Sequence, residues 1–407
     1  MEVFTNFVSY YIIMARKERE FVNMKVIKGF KIRIYPNKNQ RILIEKHFGC
    51  CRKIWNIMLN LQNHNYKKEN KYLSGYEMIN LLPNLKKQSE YQYLQEVSIK
   101  SLQEVCRDLD KSFRGCFNKI SKFPKFKSKK FSKKSYPVCS GRFYFKTARL
   151  LQIQKLGNVK FKTDFNFNIG KTYEGKFKNV RLSKEGNKYY VSFSLEIESQ
   201  EKELNDYKLG IDLGIKEQAV CFCNDKSYFF SNINKDEKMK KLFNEVKLLQ
   251  RSISRKYLQN KQGNKFIKTK NILREEEKLR KLNKKISNIR RNYIHQITRS
   301  LVNLLPQEII IETLNVKGML KNHTLAKYIQ QQNFFIFKQI LKYKAEWLNI
   351  KFTEVDRWYP SSKTCSKCGN IKKGLTLNDR EYICEKCNLV IDRDLNAAIN
   401  LVNYVAN

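Results

Sequence analysis

Leu209-Gly210-Ile211-Asp212-Leu213-Gly214-Ile215 sets one carboxylate in the middle of an apolar run, with a glycine on each side. A run this apolar reads as a buried strand, and an Asp inside one is costly unless a cation or hydrogen bonds receive it. Two distant segments carry acids able to share such a cation. Glu312 ends the strand-like Glu308-Ile309-Ile310-Ile311-Glu312, and Asp394 lies at the start of the helical stretch Asp392-Arg393-Asp394-Leu395-Asn396-Ala397-Ala398. Asp, Glu and Asp converging from far apart in the chain suit two Mg²⁺ ions, hard cations that prefer oxygen ligands. Such a pair activates water and stabilises the departing oxygen of a phosphodiester. Each acid alone also has a structural reading: an acid at a strand end often caps the next helix, and Asp392 fits the N-cap of the last one.

The 407 residues, 42% of them hydrophobic, suffice for two or three compact units with real cores. Lys and Arg number 81 against 38 Asp and Glu, a formal charge of +43, so the expected partner is a polyanion. Nucleic acid fits best, because no 18-residue apolar span is present and the basic residues run through the whole chain, which argues against a membrane. Seven of the eleven cysteines (Cys50, Cys51, Cys106, Cys116, Cys139, Cys221, Cys223) sit in apolar or mixed surroundings that suit reduced thiols, so a cytoplasmic protein is expected. Residues 1–23 make a poor signal peptide and read as a weakly ordered appendage.

Met24 to Tyr35 alternates Val26, Phe30, Ile32 and Ile34 with basic residues, the pattern of a strand. Helical spacing follows from Asn39 to Leu61, around Tyr76 to Leu82 and from Val97 to Ile120, whose aromatics read as core. Between Lys119 and Lys134 eight lysines and no acid alternate with aromatics, so Lys125, Lys127, Lys129, Lys130, Lys133 and Lys134 are candidate nucleic-acid contacts. Short alternating runs from Arg142 to Ile197, with turn signals at Gly157, Gly170, Gly175 and Gly186, predict a small antiparallel barrel that the strand at 24–35 joins, the helices being an insertion. Beyond Asp206 come three strands, a helical stretch from Asp236 to Leu305 broken near Gly263, the strand ending at Glu312, one helix from Leu325 to Leu348 and a strand at Lys351 to Val355. Arg251, Arg255, Arg290 and Arg291 on the long helical stretch are further contact candidates, with ordinary surface pairing as the bland reading. Strands and helices in this order, with acids on the first strand, the fourth and the last helix, match an RNase H-like arrangement.

Cys365-Ser366-Lys367-Cys368 and Cys384-Glu385-Lys386-Cys387 are two Cys-x-x-Cys knuckles separated by fifteen residues. Four thiolates on two tight turns supply the tetrahedral sulfur shell of a structural Zn²⁺, with no open position for chemistry. The four histidines, His47, His64, His295 and His323, form no constellation.

Several of these segments resemble one family. Gly210-Ile211-Asp212-Leu213-Gly214, Ile310 to Met319, Arg357-Trp358-Tyr359-Pro360-Ser361-Ser362-Lys363-Thr364-Cys365, the second knuckle and Asp392 to Asn400 are similar to the motifs of TnpB, also called OrfB. These are transposon-encoded RNA-guided DNA endonucleases related to the type V CRISPR effectors. Phe30-Lys31-Ile32-Arg33-Ile34-Tyr35-Pro36 and Phe48-Gly49-Cys50-Cys51-Arg52 resemble the family's opening. The resemblance implies an N-terminal extension (1–23), a wedge barrel whose first strand is 24–38, a helical recognition lobe at 39–135, the rest of the barrel at 136–205, a RuvC-like core at 206–360, a zinc ribbon at 361–391 and a last helix at 392–407. It matches the three RuvC acids to Asp212, Glu312 and Asp394, the last chosen over Asp392 because it stands two residues before Asn396-Ala397-Ala398. It also implies Mg²⁺ for catalysis, a guide RNA made from the transposon end, double-stranded target DNA and one chain per RNA. The rival readings are an RNA-independent RNase H-like transposase or resolvase, which would use the same acids, and an RNA-guided DNA-binding repressor, against which the complete acid set argues.

Overall fold

A computed structural model of the chain describes residues 23–69, 72–163, 177–200, 202–372, 374–376 and 379–404. The expectation for residues 1–22 and the turns at Gly170 and Gly175 lie outside them. The chain divides into a unit at Lys25–Glu198 and a second unit that holds everything from Ser199 on.

In the first unit, β1 (Asn23–Tyr35) leads into three helices, α1 (Lys38–Glu69), α2 (Gly75–Lys87) and α3 (Ile99–Phe117), before the chain returns as β2 (Ser135–Pro137), β3 (Phe143–Thr147), β4 (Leu150–Ile153), β5 (Gly157–Lys162), β6 (Phe177–Glu185) and β7 (Lys188–Gln200). These strands form one sheet in the order β2-β6-β7-β1-β5-β4-β3. A single apolar core joins helices and sheet, because α3 buries Leu102, Val105, Cys106, Leu109 and Phe113 on one face, three or four residues apart. The sheet is strongly curled. Phe143 on the edge strand β3 meets Phe177 on β6 with ring centroids 5.0 Å apart, although four strands separate them in the ladder. A right-handed strand twist that accumulates over seven strands brings distant strands together in this way.

The second unit begins with β8 (Asn205–Asp212), β9 (Glu217–Cys223) and β10 (Lys226–Ser231), followed by α4 (Glu237–Gln259), a two-residue hairpin of β11 (Lys261–Gln262) and β12 (Lys265–Phe266), and α5 (Lys270–Val302). Gly263 at φ +56 turns that hairpin, and it divides the expected long helical stretch where the sequence suggested. Next come β13 (Pro306–Glu312), α6 (Val316–Met319), α7 (His323–Gln332), α8 (Phe334–Glu346), β14 (Lys351–Val355), the ribbon strands β15 (Glu381–Ile383) and β16 (Val390–Asp392), and α9 (Arg393–Val402). The single helix expected from Leu325 to Leu348 is two, because Asn333 adopts the left-handed conformation at φ 56 and ψ 39. Asn tolerates that conformation better than most residues, so the hydrophobic period runs on while the axis breaks.

The five-stranded sheet of this unit has the order β10-β9-β8-β13-β14. β13 runs parallel to both β8 and β14, whereas β9 is antiparallel to β8 and to β10. Alternation along the strands sorts the side chains. Leu209, Ile211, Ile309 and Ile311 pack into a core with Ile297 and Leu301 of α5 and Phe337 and Leu341 of α8. Ile310 and Val355 face the other way, against Leu401 of α9.

Gly210 explains how close α9 comes. A Cβ on it would press into the Ala398 carbonyl oxygen and stand 3.0 Å from the Val402 amide nitrogen, so the helix backbone rests directly on the strand. Gly210→Ala is expected to lower stability by about 3 kcal/mol, since neither backbone can yield cheaply; a thermal melt unchanged by the substitution would contradict this packing. No helix among the described residues is long and apolar enough to cross a membrane.

Candidate acid site and thiol ribbon

The β8–β13 register pairs Gly210 with Ile310 and Ile211 with Ile311, so Asp212 and Glu312 come abreast at the carboxyl ends of two parallel strands. Neighbouring strands lie about 4.8 Å apart, and paired positions share a face. That face is the one Gly210 and Ile310 turn to α9, whose first turn carries Asp394. Gly214 places its loop beside Asp394: a Cβ there would sit 3.2 Å from the Glu217 carbonyl oxygen and 3.7 Å, an ordinary contact, from Asp394 Oδ2. The chain thus brings Asp212, Glu312 and Asp394 to one edge of the sheet.

Their electrostatics follow from the crowding. Burial first, then the negative charges of Asp394 and Glu312, push the Asp212 carboxyl well above the ordinary range, with Arg393 opposing. Burial raises Glu312 as well. Arg393 donates from Nε (3.3 Å) and Nη2 (3.1 Å) to Asp394 Oδ1 and is the cation nearest the cluster in sequence. Asp392 does what the capping reading expected, accepting from the amides of Asp394 at 2.9 Å and Leu395 at 3.1 Å. Beside Asp394 and Asp392 opens a cleft of about 390 Å³ that Lys216, Glu217, Val220, Phe229 and Ser231 also line.

A partly buried carboxyl that feels the charges of two neighbouring acids is part of a donor set that a hard divalent cation relieves. The sign of the pH effect follows. A carboxyl raised on folding contributes stability below its unfolded pKa, and that contribution is lost as pH rises through the folded value. Asp212→Asn is therefore expected to melt higher than the parent chain at neutral pH in buffer free of Mg²⁺ but with zinc retained, with the gap closing in acid. Mg²⁺ should raise the melting temperature of the parent and leave Asp212→Asn unmoved. A variant less stable than the parent without Mg²⁺, or one that keeps the full Mg²⁺ shift, would contradict the crowded-acid description.

The four knuckle thiols converge: the Sγ atoms of Cys365, Cys368, Cys384 and Cys387 all lie within 4.8 Å of one another. Cys365 and Cys387 stand 3.6 Å apart and Cys368 and Cys384 3.5 Å, close to the edge of about 3.8 Å in a sulfur tetrahedron around Zn²⁺ with bonds of about 2.3 Å. Each knuckle closes on a left-handed residue, Gly369 at φ 73 and Asn388 at φ 53, with amides returning to the carbonyls of Cys365 and Cys384. The amide of Cys387, and after it that of Lys386, draws the Cys384 thiol down, while at Cys387 the pull of the Leu389 amide is outweighed by burial and the neighbouring sulfurs, which hold that thiol up, so the four thiols share their protons unevenly. The remaining seven cysteines are free thiols, five of them buried, as expected.

Two residues that sequence reasoning passed over tie the ribbon to the acids. Asn396 accepts from the Ser366 amide at 3.0 Å and donates to the Thr364 carbonyl at 2.7 Å. Asn400 donates to the carbonyls of Ser361 and Thr364, both at 2.7 Å. Both are buried on α9. Two asparagines four apart beside Ala397 and Ala398 were the available signal, since a buried amide on an apolar helix face needs partners.

The basic candidates divide. Lys125, Lys129, Lys130 and Lys133 are exposed, among the exposed rings of Phe123, Phe126 and Phe131. Lys134 pairs with Glu45 at 3.2 Å. Lys127 differs from its neighbours: its ammonium sits 3.3 Å from the centre of the Trp55 ring, and burial draws it down to about 8. Arg251, Arg255 and Arg291 are exposed. Arg290 is half-buried, donates to Asn234 Oδ1 at 2.6 Å and lies over Phe243. A long aliphatic stem lets Lys and Arg serve packing as readily as solvent.

A strongly basic chain with an acid cluster at one sheet edge, backed by a thiol ribbon, belongs among the proteins that act on nucleic acids. Three family descriptions match successive parts of it: a helix-turn-helix domain of OrfB from IS605 over 24–71, a probable transposase, OrfB from IS605, over 192–323, and a Cas12f1-like TNB domain over 334–401. Residues 24–69 fold as β1 and the one long helix α1. A protein of Streptomyces pristinaespiralis named as an RNA-guided DNA endonuclease is 28% identical over 93% of this chain and 89% of its own length. InsQ of Escherichia coli, named likewise, is 27% identical over 93% and 92%. The CRISPR-associated endodeoxyribonuclease Cas12f1 of Sulfoacidibacillus thermotolerans is 26% identical over 53% and 50%. The chain belongs to the TnpB/OrfB family, which is related to the type V effectors.

Proposed function

We propose that this protein is an RNA-guided DNA endonuclease of a transposable element, which hydrolyses guide-matched DNA beside a short adjacent motif. The observation that carries the reading is the register that sets Asp212 abreast of Glu312 under the α9 turn bearing Asp394. In this reading 206–360 and 392–407 form a RuvC-like, RNase H-like core, 361–391 is the zinc ribbon inserted in it, 24–38 and 136–205 are a wedge barrel, and 39–135 is the recognition lobe. Asp212, Glu312 and Asp394 would hold Mg²⁺, which supplies an activated water and charge stabilisation for the leaving oxygen. Cys365, Cys368, Cys384 and Cys387 would hold Zn²⁺ and keep α9 in place. One chain would load one RNA made from the transposon end, in the cytoplasm, and base pairing would supply sequence specificity while the protein reads duplex shape and backbone.

Purification from cells carrying the native locus, followed by sequencing of the co-purified RNA and a plasmid-cutting assay with Mg²⁺, tests this. A defined RNA and guide-dependent cutting are expected, with DNA affinity that falls steeply as salt rises because many Lys and Arg displace counterions. A preparation free of RNA that still recombines DNA would favour the transposase reading. Bound RNA without cutting would favour a repressor.

A further inference from the structure

Trp358 is 76% exposed, an unusual position for a residue that gains so much from burial. Its place is set by the strands that carry the acids. β14 pairs in parallel with β13, Val355 against Glu312, and the Thr313 amide donates to the Val355 carbonyl at 3.1 Å. The chain therefore leaves β14 at the same sheet edge where Glu312 and Asp212 end. Three residues from Val355 reach at most roughly 11 Å, so Trp358 stands a few nucleotide lengths from the acids, on the β14 flank.

The loop that presents it is fixed from both sides. Asp356 Oδ1 accepts from the Trp358 amide at 2.8 Å, and the Tyr359 amide donates to the Asp356 carbonyl at 3.1 Å. Tyr359 is anchored to the acid-bearing helix region: its hydroxyl donates to the Asn400 carbonyl at 3.1 Å, and its ring packs edge-on against Tyr404 at 5.0 Å. Arg357 lies over the indole with its guanidinium carbon 4.5 Å from the ring centre. Stacking engages the face of a guanidinium and leaves its in-plane N–H groups able to meet a phosphate. A rigid, solvent-facing indole with a cation attached is the combination that holds unpaired nucleotides, ring against base and cation against backbone.

We infer that Trp358 and Arg357 form a stacking platform for an unpaired base of the DNA strand led to the acid site, with Trp358 positioning the strand and Arg357 contacting its phosphate. The inference rests on the nuclease reading for its direction, and its test is separable from it. Full-length Asp212→Ala protein with its co-purified RNA keeps the DNA intact, so binding is measured alone. The probe is a short oligothymidylate with no complement in the RNA, and a matched oligonucleotide of abasic sites. Trp358→Ala should weaken oligothymidylate binding roughly 5- to 100-fold, the range for loss of one stacked base, while Trp358→Phe stays within a few-fold. The abasic probe should bind the parent weakly and lose little more on Trp358→Ala. Oligothymidylate should quench tryptophan emission in the parent, and most of that quench should be lost in Trp358→Phe, since Trp55 is buried and Trp347 is half-buried against Tyr343. Binding of Trp358→Ala within twofold of the parent, equal weakening of both probes, or a loss traced to reduced RNA loading or to a changed oligomeric state would overturn it. Failure of the nuclease reading would instead appear as DNA cutting by the Asp212→Ala chain with Trp358 intact.

Discussion

Replacing Asp212 with alanine will leave RNA loading and target binding near parent levels and slow cutting by at least about 10³-fold. The magnitude follows from losing several kcal/mol of metal-derived stabilisation of the transition state, at about 1.4 kcal/mol per factor of ten. Glu312→Ala and Asp394→Ala are expected to do the same, because each supplies a carboxylate to one sheet edge. Asp392→Ala discriminates geometry from mere acidity. Asp392 spends Oδ1 on the amides of Asp394 and Leu395, so its loss removes a helix cap worth about 1 kcal/mol and should spare most of the cutting. Cutting retained by Asp212→Ala, or Asp392→Ala as inactive as Asp394→Ala, would refute the assignment of roles.

Zinc loss carries the second large effect, and it reaches the acids without touching them. Structural zinc sites of this kind contribute about 10–16 kcal/mol to the fold of small domains. Cys384→Ser, or stripping the metal with a strong chelator, should therefore melt the ribbon at 361–391. Asn396 and Asn400 then lose the carbonyls of Ser361 and Thr364, and α9 loses the anchor that presents Asp394. Cutting should fall together with zinc content measured by plasma emission, and hydrogen exchange should rise in both the ribbon and α9. A zinc-free protein with protected α9 amides and full cutting would separate the two features that the hydrogen bonds join.

Much of this was legible because it is local. The strand carrying Asp212 announces itself by apolar residues around one acid, and the knuckles by spacing alone. Other features depend on what meets in space. That Gly210 serves helix approach, beyond strand flexibility, is visible only once Ala398 lies on it. The break at Asn333 escaped because the apolar period continues across it and only one residue's backbone changes hand. Lys127 and Arg290 were counted with their neighbours because a charge run says nothing about which stems find an aromatic face; Trp55 and Phe243 claimed these two. Which strands of the first unit's sheet meet across its curl, Phe143 of β3 with Phe177 of β6, likewise depends on twist summed over seven strands.

The most direct test is the position of the metal. Crystals of the RNA-bound protein soaked in Mn²⁺, with anomalous maps collected at the manganese and zinc edges, carry their own control, since the four thiols should give a zinc peak. The account predicts two manganese peaks at the carboxyl ends of β8 and β13, each about 2.1 Å from oxygens of Asp212, Glu312 or Asp394. A clear zinc peak with no manganese between those three side chains, or with manganese bound elsewhere, would contradict it.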